Sequence, residues 1–237
     1  MNAFVLKIIA IVAMTFDHIG AEFLPFGLGY EPYDMIFRIV GRLTMPIMCF
    51  FIGEGFTKTR NRGKYAVRLS VFAVISEIPY RLFFGDEMNV MFTLLLGFCA
   101  LWASDYLKNL MHTDSFRIPV YLFTATFSMI IGSDWDYIGI LLIIAFYHGR
   151  ESKVKAVLYP LGVYVFVLGA SYIDALTVSG FQHFYINYIQ FSGCLSIPLI
   201  MLYNGKKGPS AKYLFYLYYP LHLLLLWAIS TFGVNSL

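Results

Sequence analysis

The stretch Phe4–Leu24, FVLKIIAIVAMTFDHIGAEFL, decides the fold. At ~1.5 Å per residue in a helix it is long enough to cross the roughly 30 Å hydrocarbon core of a bilayer. Asp17 and His18 stand well past its middle. A charge at such depth costs at least ~2.5 kcal/mol on insertion scales, so a residue kept there faces a partner, a cavity or a substrate. Lys7 interrupts the start of the stretch, the Asp17-His18 pair its end, and no small-residue cleavage site follows. The expectation is a retained span, not a cleaved secretory signal.

The remainder of the 237-residue chain has the same character: 59% of residues are hydrophobic and 13% charged, with a mean hydropathy of +0.69. Soluble domains carry about 25% charged residues, so the composition implies an all-α, polytopic integral membrane bundle. Too little sequence remains between the apolar runs for a separate soluble domain, and residues 1–237 read as one transmembrane domain. Cys49, Cys99 and Cys194 lie inside apolar runs without paired spacing, which argues against a disulfide framework and a cysteine zinc site. The formal net charge of +3 comes mostly from short loops and gives no reason to expect nucleic acid as a partner. The lipid bilayer is the expected surrounding, and the oligomeric state is left open.

Hydrophobicity divides the chain into about nine spans, near residues 4–24, 34–57, 65–84, 90–107, 118–132, 135–148, 154–172, 184–203 and 212–231. The fifth and sixth are short and separated only by Ser133-Asp134-Trp135, so they read as a tight hairpin or a re-entrant pair. Basic residues gather in every second loop: Lys58 to Arg68, Lys108 with Arg117, Arg150 to Lys155, and Lys206 to Lys212. The intervening loops carry Glu31 and Asp34, Asp86 and Glu87, Asp134 and Asp136, and Asp174. The positive-inside rule then places the N-terminus in the cytoplasm and the C-terminus outside.

With that topology, depth follows from residue number, and polar groups from several spans fall in the outer half of the membrane. Asp17 and His18, Arg38 and Arg42, Glu77 and Arg81, Asn89 and Thr93, Asp136, Asp174, His183 and His222 make up this expected layer. Arg38 and Arg42 are four apart and project from one helix face, where they can grip one anion or neutralise Asp17 and Glu77. Asp17 and His18, being adjacent, point ~100° apart on a helix, so a carboxylate orienting His18 would come from another span, such as Glu77 or Asp136. Pro46, Pro79 and Pro220 are expected to loosen helices beside Arg42, Glu77 and His222. His222 reads either as a pocket residue or as a histidine bonded to a backbone carbonyl at a packing kink. Glu54 is expected to pair with Lys58 at i+4. The run containing Arg60, Arg62 and Lys64 could receive the phosphates of a cytoplasmic cofactor, or act only in topology and lipid contact. No HExxH, P-loop, dinucleotide-binding glycine fingerprint or Gly-x-Ser-x-Gly elbow occurs, and no metal is expected.

A series of strings then carries a family resemblance. They are Leu6-Lys7-Ile8-Ile9-Ala10, Asp17-His18-Ile19-Gly20, Phe37-Arg38-Ile39-Val40-Gly41-Arg42, Glu54-Gly55-Phe56, Ser76-Glu77-Ile78-Pro79, Asn89-Val90-Met91-Phe92-Thr93 and Tyr219-Pro220-Leu221-His222-Leu223. In order and spacing the chain resembles the TraX family, whose founding member acetylates the N-terminus of F-type pilin. It is more distantly similar to multi-span membrane acyltransferases. The resemblance implies an acetyl-CoA-dependent transferase in a bacterial inner or plasma membrane, acting on a peptide N-terminal amine or on the hydroxyl of a smaller acceptor. His18 would be the general base, with His222 as the alternative base or acyl carrier. Arg38 or Arg42, with Asn89, would stabilise the oxyanion, and Asp17 would hold an arginine in place. Two other classes fit intramembrane charge: an ion-coupled transporter and a non-catalytic assembly factor whose charges pair with partner helices.

Overall fold

A computed structural model describes residues 1–24, 33–85, 87–179, 189–210 and 212–233. Glu31, Asp86 and His183 lie outside them. The described residues are helical apart from short turns: α1 Ala3–Phe23, α2 Tyr33–Gly41, α3 Thr44–Lys58, α4 Arg62–Phe84, α5 Val90–Met111, α6 Arg117–Ile130, α7 Asp136–Gly149, α8 Lys153–Asp174, α9 Ser196–Met201 and α10 Lys212–Ala228. Short π-helical turns extend α8 over Ala175–Ser179 and α10 over Ile229–Gly233, and a 3-10 turn at Ser192–Leu195 leads into α9.

Among the described residues, five segments are long and apolar enough to cross a membrane: Ala3–Phe23, Tyr33–Lys58, Val90–Met111, Lys153–Thr177 and Tyr213–Gly233. The chain is a membrane protein. α4 has the length but carries Arg62, Lys64, Arg68, Glu77 and Arg81. The paired short spans are two 14-residue helices, α6 and α7, joined by a tight turn. At ~1.5 Å per residue each is about 21 Å long, shorter than a bilayer core.

Local sequence explains most boundaries. Asn2, Asn61, Asn89 and Ser152 are N-caps whose side chains accept from the amides of Val5, Lys64, Met91 and Lys155. Each satisfies a donor that the first helical turn leaves without a partner. The span expected at 34–57 is divided by a turn at Arg42-Leu43. Pro46 supplies the reason, since it has no N–H for the Arg42 carbonyl and its ring crowds that position. Pro79, Pro160 and Pro220 stay inside their helices.

Two compact units emerge, and the chain passes between them four times. Unit 1 comprises Met1–Met48, Gly149–Phe215 and Ala228–Leu237. Here the start of α1 is bonded to the segment after α9: the Met1 amine donates to the Leu202 carbonyl, and the amides of Ala3 and Phe4 donate to the carbonyls of Lys206 and Lys207 at 2.8 and 3.2 Å. Unit 2 comprises Cys49–His148 and Tyr216–Trp227. Its core includes Phe56, whose ring packs edge-on against Phe98 and Tyr147, together with fully buried Leu69, Leu101, Ile140 and Leu142.

Candidate functional site

The first polar cluster lies within unit 1, where α1 meets α2. One carboxylate oxygen, Asp17 Oδ1, receives Arg38 Nη1 at 2.9 Å and Arg42 Nη2 at 3.3 Å. Arg38 Nη1 also approaches the Asp17 carbonyl at 3.3 Å. The i,i+4 spacing therefore brings both guanidiniums onto one partner, as expected from one helix face. Arg42 is the deeper of the two, its side chain 9% exposed against 27% for Arg38. A second contact holds it, because Nη1 donates to Gln190 Oε1 at 3.1 Å. His18, next to Asp17, is buried.

Small residues make this approach possible. A Cβ on Gly41 would stand 2.2 Å from Asp17 Cβ, and one on Gly20 would stand 2.7 Å from Phe37 Cβ. Both are far inside van der Waals contact, so α1 and α2 meet here as they do only because both positions lack side chains. Thr44, at the head of α3, donates to the Ala10 carbonyl at 3.0 Å and fixes the broken helix against α1. Sequence reasoning missed Gln190, Gly20 and Gly41 as site residues. Gln190 carries a signal, being an amide at the head of the apolar helical run Ile189–Met201.

The second cluster lies within unit 2, around the head of α5. Glu77 pairs with Arg81 Nε at 2.7 Å through Oε1, while Oε2 accepts from Asn89 Nδ2 at 2.6 Å. Asn89 Nδ2 also donates to the Ala73 carbonyl at 2.8 Å. Both amide hydrogens of Asn89 are thus engaged, which leaves none for the oxyanion role expected of this residue. Glu77 likewise finds its partners in Arg81 and Asn89, whereas Arg38 and Arg42 share Asp17. In the same unit Thr93 Oγ1 donates to the Asp134 carbonyl at 2.5 Å and lies 3.0 Å from Ser133 Oγ, itself 2.9 Å from Ser128 Oγ. Ser128, in α6, and Ser133, in the α6–α7 turn, complete a buried hydroxyl chain that sequence reading did not single out.

His222, also in unit 2, donates from Nδ1 to the Tyr218 carbonyl at 2.8 Å and stacks on the Tyr218 ring, centroids 5.0 Å apart. A carbonyl can only accept, so Nδ1 is the donor in this bond. This is the backbone-bonded arrangement that the sequence offered as one of two readings.

The basic run divides by environment. Glu54 and Lys58 pair at 2.6 Å, as their spacing predicts. Arg62 is bound to Asp105 at 2.6 Å and lies 4.2 Å over the Phe56 ring, so its charge is neutralised within unit 2. Arg68 donates to the Tyr216 hydroxyl at 3.1 Å. Arg60 and Lys64 are exposed, with no ion pair among the described residues.

With these clusters in place, the chain can be set beside known proteins. The TraX protein family model matches residues 3–230. The chain belongs to the TraX family. One relative, the probable fimbrial assembly protein FimC, serogroup H1, of Dichelobacter nodosus, is 34% identical over 98% of this chain and 96% of its own length. An uncharacterized protein of Rickettsia prowazekii is 34% identical over 44% of this chain and 37% of its own. No solved structure matches. The TraX match spans both units, from the start of α1 to the π-helical end of α10.

Proposed function

We propose that this TraX-family chain is a membrane-embedded acetyltransferase moving an acetyl group from acetyl-CoA to an acceptor amine, such as a peptide N-terminus, or to a hydroxyl. The observation that carries the reading is the convergence of Arg38 and Arg42 on a single Asp17 oxygen beside the buried His18. In a low-dielectric site, guanidiniums already anchored by a carboxylate can stabilise a developing oxyanion without reorganising. Family membership and a fimbrial assembly relative fit an acceptor of the pilin kind.

The step proceeds as follows. The acceptor nitrogen attacks the thioester carbonyl carbon, and negative charge gathers on the carbonyl oxygen, which Arg38 or Arg42 neutralises. His18 takes the proton from nitrogen as the N–C bond forms. The C–S bond breaks, and the proton passes to the departing thiolate to give free CoA. His18 is preferred to His222 as the base because it shares a unit with Asp17 and both arginines. Arg60 and Lys64, exposed and without an ion pair among the described residues, are proposed to receive the phosphates of CoA.

The same reading includes about nine membrane segments with the N-terminus in the cytoplasm, in a bacterial inner or plasma membrane. The bonding of Ala3 and Phe4 to Lys206 and Lys207 supports that topology, since it joins the N-terminus to a basic loop. Release of CoA from acetyl-CoA by detergent-purified protein tests the function. His18→Ala should lose about a hundredfold or more of the wild-type rate, the range of general-base removal, while His222→Ala retains most of it. Wild-type protein that neither binds acetyl-CoA nor releases CoA would overturn the reading.

One observation favours a second account. The helix break at Arg42-Leu43 in the middle of Tyr33–Lys58 is the kind of discontinuity that ion-coupled transporters use at substrate sites. Solute uptake into proteoliposomes that collapses with a protonophore, in a protein lacking acetyl-CoA turnover, would establish it.

A further inference from the structure

Among the described residues, the arginines that are buried or half-buried hold a carboxylate, with one exception. Arg38, Arg42, Arg62 and Arg117 each have a carboxylate oxygen within 3.3 Å. Arg68, half-buried in the second turn of α4 within unit 2, has no carboxylate at ion-pair distance among those residues. Aromatic groups hold it instead. Nε donates to the Tyr216 hydroxyl at 3.1 Å, and the guanidinium carbon lies 4.8 Å from the centre of the Tyr65 ring and 5.4 Å from that of Tyr216. These contacts offset part of the cost of drawing a cation out of water, but they supply no counter-charge.

The two rings are themselves fixed. Tyr216 stacks on Phe72, with centroids 4.7 Å apart and planes at 21°, and Tyr65 packs edge-on against Phe98 at 4.7 Å. Tyr65 also depends on Gly55, where a Cβ would stand 2.7 Å from its Cε1 and 2.8 Å from its hydroxyl. The cradle therefore sets the plane of the guanidinium. Of its N–H donors, only the one on Nε has an acceptor among the described residues. Those on Nη1 and Nη2 make a fork suited to two oxygens of one oxyanion, a carboxylate or a phosphate.

The surroundings of Arg68 select the phosphate and its carrier. Val67, Val71, Val74 and Ile78 run beside it along α4, all exposed and at helical spacing. At ~1.5 Å per residue the stripe extends about 16 Å, close to one leaflet of a ~30 Å hydrocarbon core. An exposed apolar stripe on a membrane protein meets acyl chains. An oxyanion at the end of that stripe, on the side of α4 that carries Lys64, stands where a phospholipid has its phosphate. With no carboxylate beside Arg68, the local charge favours a headgroup that is anionic over one that brings its own cation.

We propose that Arg68, cradled by Tyr65 and Tyr216, binds the phosphate of an anionic phospholipid whose acyl chain lies along Val67, Val71, Val74 and Ile78. The binding does not depend on the acetyltransferase reading.

Native mass spectrometry of the detergent-purified full chain, titrated with dioleoyl phosphatidylglycerol or dioleoyl phosphatidylcholine, reads the retained lipid. The wild type should retain phosphatidylglycerol about fivefold better or more, the scale of one charge at a headgroup. Arg68→Gln should weaken phosphatidylglycerol about tenfold, the loss of a charge-assisted contact, and leave phosphatidylcholine unchanged. A cooperative melting transition in lipid-free detergent verifies that the variant is folded. Arg68→Lys keeps the charge without the fork and should fall between the two. Equal retention of both lipids by the wild type, or wild-type retention of phosphatidylglycerol in Arg68→Gln, would overturn the site. If Arg68→Gln does not fold, wild-type retention in Arg68→Lys overturns it. Free CoA distinguishes the other source of a phosphate. It should leave the bound lipid in place; displacement of the lipid by CoA, with CoA binding lost in Arg68→Gln, would give the fork to the phosphates of the acetyl donor and overturn the lipid site.

Discussion

Gly41 lies so close to Asp17 that a methyl group in place of its hydrogen would overlap the aspartate side chain, with Cβ atoms 2.2 Å apart. This close approach of α1 and α2 is also where Arg38 and Arg42 reach their common carboxylate oxygen. Gly41→Ala should force the helices apart, lowering stability by about 1–3 kcal/mol, the usual range for overpacking, and loosening both ion pairs. Thermal unfolding in detergent checks this. Gly162→Ala, inside α8 at a position with nothing within 4 Å, serves as the control and should leave the melting temperature unchanged or raise it slightly, as helix propensity favours Ala over Gly.

The two arginines should not respond alike. Arg42 is the more buried and is also bound to Gln190, whereas Arg38 reaches Asp17 from a more exposed position. Arg42→Gln should cost the more stability, approaching the roughly 3–5 kcal/mol of breaking a buried pair, and Arg38→Gln distinctly less. Asp17→Asn should resemble Arg42→Gln, because it leaves two guanidiniums facing a neutral amide. Melting temperatures of the three variants give the order, and equal losses for Arg38 and Arg42 would contradict the assignment of depth.

At the head of α5, Asn89 works in both directions: its amide donates to Glu77 and Ala73, and its carbonyl oxygen accepts from the Met91 amide. Asn89→Asp keeps the cap but removes the donors and sets a second carboxylate against Glu77. It should therefore destabilise more than Glu77→Gln, which keeps an oxygen for the Asn89 amide. Chemical denaturation of both variants would show a gap of about 1–2 kcal/mol, the scale of a buried acceptor deprived of its donor.

These comparisons also show where the sequence was sufficient. The helices follow from apolar length and asparagine or serine caps, and the break at Arg42 follows from Pro46, because both depend on local chemistry. The contact of Arg38 and Arg42 with Asp17 was within reach because i,i+4 spacing and span depth restrict what two arginines can touch. The partners of Glu77 were not. Arg81 at i+4 was a local candidate, but Asn89 meets Glu77 only through the way the chain returns from α4 to α5. Gln190 and Gly41 lie further from sequence reach, since their roles come from tertiary register. A glycine reads alike whether it faces lipid or an aspartate.

The basic run offers a separation by kinetics. Arg62 is neutralised by Asp105 and rests on Phe56, so Arg62→Gln removes an internal ion pair and packing area and should lower the melting temperature. Arg60 and Lys64 project from the surface, and replacing either with Gln should leave stability within about 0.5 kcal/mol, as for most surface changes. If these two cations hold the phosphates of CoA, the double variant Arg60→Gln, Lys64→Gln should raise KM for acetyl-CoA about tenfold or more with little change in kcat, because contacts to a remote part of the donor are made equally in ground and transition states. Steady-state CoA release at several acetyl-CoA concentrations distinguishes the cases. An unchanged KM would restrict the run to topology and lipid contact, and a lowered kcat would place it nearer the reacting thioester than its exposure indicates.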